Sequence, residues 1–346
     1  MIADTHFGFK NDDEKWLNEF TNYFYNIVFP LLKENVEEED ILVHLGDIFD
    51  NRKFVGLKTL ATVQKLFEDL TNIISDVRIV IGNHDIFNKN SNSITSVDIL
   101  KNINGITIYK EADCCLIDGK QCLFLPWVND VETEIELLKK YKNIEYIFCH
   151  SEINGADMGS GQKSNTNIKI SDFNCKHVYS GHIHIRSNSG KVHYIGAPYH
   201  LTRTDINHEK GITCLDVKTG ETEFYENTFS PRFMKINAND IDIKNFDTEI
   251  LKNNYVDVYV KQSEAQDIDV VNVMKFVSDY TKASTLKIDD DITVETVVIT
   301  ECDKNKTIGN HIDDYTKILL KSYDCKKETE DEILRYISSL KSKFSE

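Results

Sequence analysis

Asp40-Ile-Leu-Val-His-Leu-Gly-Asp-Ile-Phe-Asp50 is the stretch on which the fold turns. Its first half, Asp40 to His44, is a short apolar run of the kind that fills a buried strand, and its second half breaks into Gly46-Asp47, a permissive residue followed by a carboxylate. The same order of apolar run and polar turn returns at Val77 to Ile81 before Gly82-Asn83-His84-Asp85, and at Glu145 to Cys149 before His150. It returns once more at His177 to Ser180 before Gly181-His182-Ile183-His184. Between these runs, Trp16, Phe20, Phe24, Ile27, Val28 and Leu31 recur at helical spacing, as do Leu60, Val63, Leu66, Phe67 and Leu70. Strands alternating with helices predict an α/β fold.

In an open α/β sheet the carboxyl ends of the strands converge on one crevice, so groups distant in sequence can meet around one ligand. Five short motifs carry such groups: Asp4-Thr5-His6, Gly46-Asp47, Gly82-Asn83-His84-Asp85, Cys149-His150 and Gly181-His182-Ile183-His184. In extended chain, residues i and i+2 point the same way, which pairs Asp4 with His6 and His182 with His184. Glycines 46, 82 and 181 permit tight turns beside the site. Carboxylates, imidazoles and one amide oxygen suit Mn²⁺, Fe²⁺ or Zn²⁺ better than ions that prefer thiolates. One such motif is commonplace, and a buried histidine is often only hydrogen-bonded. All five in order, at strand ends, leave little room for a purely structural origin.

Composition narrows the class. The 346 residues carry a formal charge of −17, and both sides of Pro231 are acidic, with 23 basic against 34 acidic residues before Arg232 and 17 against 23 from there on. Phosphate repels such a surface, so contact with nucleic acid has to be local, with bound cations supplying the missing positive charge. Eight cysteines without a CxxC pair read as reduced thiols of a cytoplasmic protein, and no apolar run is long enough to span a bilayer.

Beyond Gly181 the chain becomes strand-rich: Lys191 to Ile195, Gly211 to Val217 and Glu221 to Tyr225 predict a second sheet that closes the domain. Ser230-Pro231 marks a boundary between a domain over 1–231 and a small α/β module over 232–300. The module's predicted elements are a strand at Tyr255 to Val260, a helix at Asp267 to Tyr280 and a strand at Ser284 to Ile288. Residues 301–346 predict two amphipathic helices, over Ile308 to Phe344.

The five motifs resemble those of the calcineurin-like metallophosphoesterases, in which DxH, GD, GNH, H and GHxH follow in this order over roughly residues 1 to 200. The resemblance implies a four-layer α/β/β/α sandwich and a pair of divalent cations. Asp4, His6, Asp47 and His184 would hold one, and Asp47, Asn83, His150 and His182 the other. Mn²⁺ is the first expectation, with Mg²⁺, Fe²⁺ or Zn²⁺ as alternatives. His84 resembles the family histidine that assists the leaving oxygen, with Asp85 orienting it. Gly46-Asp47-Ile48-Phe49-Asp50, Asp85 and Tyr194-Ile195-Gly196-Ala197-Pro198 are similar to the SbcD and meiotic-recombination nucleases, phage-type members especially. That implies a DNA endo/exonuclease subunit in host cytoplasm, with 232–300 capping the DNA site and 301–346 docking on an SMC-like coiled-coil ATPase; a homodimer is also compatible. Lys10, Arg52, Lys53, Lys89, Arg186 and Arg203 are the candidate DNA contacts. Asp50 stands where many members have a histidine, so that histidine's role does not transfer. Only three residues precede Asp4, a short run for a first strand. Two other readings stay open: a phosphoesterase for small phosphodiesters or nucleotides, and a non-catalytic scaffold.

Overall fold

The computed structural model describes residues 1–89, 91–159, 161–261 and 268–289. The expected C-terminal helical segment, 301–346, and the end of the small module lie outside the described residues.

Strands Ile41–His44, Asp76–Val80 and Ile106–Tyr109 form a parallel sheet, to whose edge Ile2 adds a single parallel bridge opposite His44. A second sheet runs Ser187–Ser189, Val192–Tyr194, His177–Gly181, Tyr146–His150, Lys120–Leu125, Asp113–Ile117, parallel through its centre and antiparallel at both ends. The mixed α/β class is as the sequence predicts.

Strand alternation dictates how the sheets stack. Val43 and Val80 from the first sheet meet Cys122, Phe124, Tyr146, Phe148 and Tyr179 from the second in one buried cluster. The opposite faces carry Leu42, Val77 and Ile79, which pack with Trp16, Phe20, Leu66 and Phe67, and Leu123, Ile147 and Val178, which pack with Leu138. The helices behind the first sheet are Glu14–Tyr23, continued through a π-turn at Phe24–Val28 into Phe29–Asn35, and Leu57–Thr71. Behind the second lies Val131–Lys140.

The strand-rich stretch divides in a way the sequence does not foresee. Val192–Tyr194 joins the second sheet beside His177–Gly181, whereas Gly211–Leu215 and Thr222–Glu226 form a hairpin tied to the chain start by the Thr213 amide donating to Met1 O. Alternation specifies a half-buried strand but not its partner, so a single closing sheet was the wrong grouping.

A third, parallel sheet of Phe233–Asn237, Tyr255–Lys261 and Ala283–Asp289 packs on helix Val270–Ser278 through Val256, Val258, Val273 and Val277. Trp16 stacks on Tyr255 at 5.5 Å between ring centroids, which joins this sheet to the first helix.

Candidate metal centre

The motifs lie at or just past strand ends, except Asp4-Thr5-His6, which follows the single bridge at Ile2. Asp4, His6, Asp47 and His182 adopt left-handed backbone, with φ of 52°, 43°, 54° and 81°. Such residues are sparsely populated, strained and concentrated at functional sites. The alternation argument therefore gives the wrong reason for convergence, because these residues are not in extended backbone. It also pairs the histidines wrongly: His184 groups with Asp4 and His6, whereas His182 groups with Asp47 and His150.

The backbone is packed to the limit beneath these side chains. A Cβ on Gly82 would lie 2.1 Å from Asp47 Oδ1 and 2.4 Å from its amide nitrogen, so glycine is required by close approach rather than by an unusual φ. Asp85 locks the same two loops together: its carboxylate accepts the amides of Gly82 (2.9 Å), Asp47 (2.9 Å), Ile48 (3.0 Å) and Phe49 (3.3 Å). This corrects its expected role, since Asp85 is occupied by backbone and does not orient His84. The His84 ring is held instead through Nδ1, 2.5 Å from the Asp50 carbonyl.

The seven expected ligands come together. His6 Nε2 is 3.0 Å from His184 Nε2 and 3.9 Å from Asp47 Oδ2. His150 Nε2 is 3.4 Å from the same Asp47 oxygen and 2.9 Å from Asn83 Oδ1, which is also 2.9 Å from His182 Nδ1. Asp47 thus lies between the two sets.

The donor set fits divalent cations on its own terms. Asp4 Oδ2 is buried without a hydrogen-bond partner among the described residues, a cost that a bound cation removes. Burial pushes the Asp4 carboxyl up and the His184 imidazole down to about 3, the latter with help from His6. For Asp47 burial acts upward, but His150 outweighs it and holds the carboxyl far below its usual range; reciprocally, Asp47 overcomes burial to push His150 up to about 9. Facing imidazole nitrogens around a carboxylate are a ligand set in which protons stand where cations would.

Four supports escaped the sequence reading. Tyr199, stacked on Phe20 at 3.9 Å, donates to the Thr5 carbonyl at 2.5 Å and so holds the first motif. Buried Lys210 pairs with Asp205 and donates to the His184 carbonyl at 2.6 Å. The Trp127 ring lies 4.9 Å from that of His182. Glu152 faces His182 from outside. None sits in a motif, and only the apolar-aromatic run before Tyr199 hinted at a buried position.

The candidate DNA contacts separate. Arg203 pairs with Asp257 through bonds of 2.6 and 2.9 Å, a tie to the third sheet. Arg186 covers the Phe224 ring at 4.2 Å and faces Glu209 at 3.9 Å. Lys10 lies over Trp16 at 4.7 Å. Arg52, Lys53 and Lys89 make no ion pair among the described residues, and Lys53 and Lys89 are exposed.

The chain is 30% identical over 234 residues, 65% of its length, to "Exonuclease subunit 1" of Enterobacteria phage T4, and the match spans 66% of that protein. Among solved structures it is similar to a protein of unknown function from Aquifex aeolicus, at 19% identity and TM-score 0.28, covering 55% of this chain and 80% of that one. A phosphopantetheinyl hydrolase from Mycobacterium tuberculosis follows at 11% identity and TM-score 0.30, covering 57% and 88%. Residues 1–186 match the calcineurin-like phosphoesterases, and since that stretch is more than half of the sequence and carries every candidate ligand, the chain belongs to that family.

Proposed function

We propose that the protein is a DNA endo/exonuclease subunit that hydrolyses phosphodiester bonds with two divalent cations, Mn²⁺ first among them. The observation that carries this is the placement of Asp47 between two ligand sets, with His6 and His184 on one side and His150, Asn83 and His182 on the other. A pair of cations held there would supply a nucleophile at neutral pH and charge to match the attacking and leaving oxygens of an in-line displacement. The protein's own part is to hold the ligands and to offer His84 beside them. The His84 ring lies 5.0 Å from the His6 ring, in reach of a leaving oxygen to which it would deliver a proton.

The similarity to an exonuclease subunit supports DNA as substrate, and an acidic chain needs the cations to approach it. Arg52, Lys53 and Lys89 are the contacts we assign to the DNA backbone, the third sheet to its positioning, and 301–346 to an SMC-like ATPase. Host cytoplasm is the corresponding location; among the described residues, no helix is long and apolar enough to cross a membrane.

Cleavage of linear and hairpin DNA with Mn²⁺, with and without the candidate ATPase, tests the proposal. Metal-dependent cutting is expected. A protein that binds its cations, turns over a bis-phosphoester dye and never cuts DNA belongs to the small-phosphodiester reading instead.

A further inference from the structure

A histidine that offers one ring nitrogen to a cation carries its proton on the other, and that N–H needs an acceptor if the tautomer is to stay fixed. His150 shows the arrangement complete: Nε2 faces Asn83 and Asp47, while Nδ1 lies 2.7 Å from the Leu45 carbonyl. Among the described residues, His6 and His182 have no such carbonyl. The outward Nδ1 of His6 has no hydrogen-bond partner among the described residues, and it faces Asp50 Oδ1 at 3.3 Å. His182 is turned the other way, with Nδ1 inward on Asn83 and Nε2 outward, 3.5 Å from Glu152 Oε2. The second Glu152 oxygen accepts from Ser164 Oγ at 2.7 Å, which fixes the carboxylate's aim.

We propose that Asp50 and Glu152 are positioning residues, one for each ligand set, that fix His6 as a ligand through Nε2 and His182 as a ligand through Nδ1. This rests on the two-cation reading above and deepens it. The opposite ring orientations make the assignment specific, because each carboxylate meets the nitrogen that its histidine turns away from the centre. Removing the Asp50 side chain leaves its carbonyl on His84 Nδ1 in place, so the two contributions of Asp50 are separable. The loss of either carboxylate strands a ring N–H and lets the ring present a proton, rather than a lone pair, to the cation.

Calorimetric titration of Mn²⁺ into the full chain, together with imidazole ¹⁵N spectra of the metal-free protein, tests this. Asp50→Ala is expected to weaken one of the two binding steps about 10- to 100-fold and spare the other, and Glu152→Ala to do the reverse. Asp50→Asn and Glu152→Gln keep an acceptor oxygen and should restore most of the affinity. The ¹⁵N spectra should show His6 and His182 each losing a single tautomer in the corresponding alanine variant. Alanine variants that bind both ions as tightly as the parent, or Asn and Gln variants as weak as alanine, would overturn the assignment. A parent chain that takes up no ion overturns the two-cation reading itself, a result distinct from either.

Discussion

At the residue scale the centre is defined by what surrounds each ligand as much as by the ligands. His84 is the informative case. Its amide donates to Asp47 Oδ1 at 2.7 Å, a contact that survives any side-chain change, whereas its ring touches Asp50 O and approaches His6. His84→Ala should therefore keep both cations and lower turnover of a small phosphodiester by roughly 10²- to 10⁴-fold, the span of a general acid. Metal content measured beside kcat decides it, since a variant that has lost both ions would make His84 a ligand. Gly82→Ala is the opposite kind of change. Its new methyl falls on the Asp47 carboxylate and amide, which Asp85 holds from behind, so neither neighbour can yield. Overpacking of this kind costs about 1–3 kcal/mol. A lower urea midpoint together with weaker Mn²⁺ binding is expected; a variant equal to the parent in both would show that the loops are looser than this packing implies.

At the scale of elements, the helix Val131–Lys140 carries an acid in an apolar setting. Glu134 is 2% exposed, and its Oε1 meets Ser151 Oγ at 2.5 Å, one residue past His150. Burial pushes its carboxyl up from 4.5 to about 7 against the pull of Ser151. A raised carboxyl binds its proton more tightly when folded, so its contribution is fully present below the ordinary value and fades as pH rises through about 7. At about 1.4 kcal/mol per pKa unit, that is at most about 3.5 kcal/mol. Glu134→Gln should flatten the stability profile between pH 5 and 7 in urea titrations; an equally steep profile would place the titration elsewhere. Such features show why the reading from sequence stops where it does. The strands at Ile41–His44, Asp76–Val80, Tyr146–His150 and His177–Gly181 were legible because both faces are buried and a polar motif ends each run. The strand Phe233–Asn237 went unread. Its apolar Phe233 and Ile236 stand three residues apart, off the two-residue period, and between them Lys235 lies over the Tyr259 ring of the neighbouring strand. Asp50, Glu152 and Lys210 were invisible as supports, because their partners are fixed only by loop conformations that no periodicity encodes.

At the scale of the whole molecule, the candidate ligands come from segments spread between residues 4 and 184 and from the first and second sheets. Asp4 and Asp47 sit at the first sheet, and His150 and His182 at the second. Cations shared between them, as the proposed function requires, would act as cross-links of the folded state that the unfolded chain cannot reproduce, since no two of the five motifs are adjacent in sequence. They would also neutralise carboxylates in a chain whose formal charge is already −17, where like charges oppose compaction. Binding to the native state alone stabilises by RT ln(1 + [L]/Kd), about 2.7 kcal/mol at a hundredfold excess over Kd for each site. Removing Mn²⁺ with a chelator should therefore lower the midpoint of thermal unfolding by several degrees, and adding it back should restore the midpoint in proportion to the logarithm of its concentration. Variants that delete a ligand on one sheet, such as Asp4→Ala, or on the other, such as His150→Ala, should each lose most of that response, because neither sheet holds a complete set. Scanning calorimetry with and without chelator reads this directly. A midpoint that ignores the metal would mean that the two sheets meet through their apolar layer alone, and that the ligand sets do not bind ions at the concentrations tested.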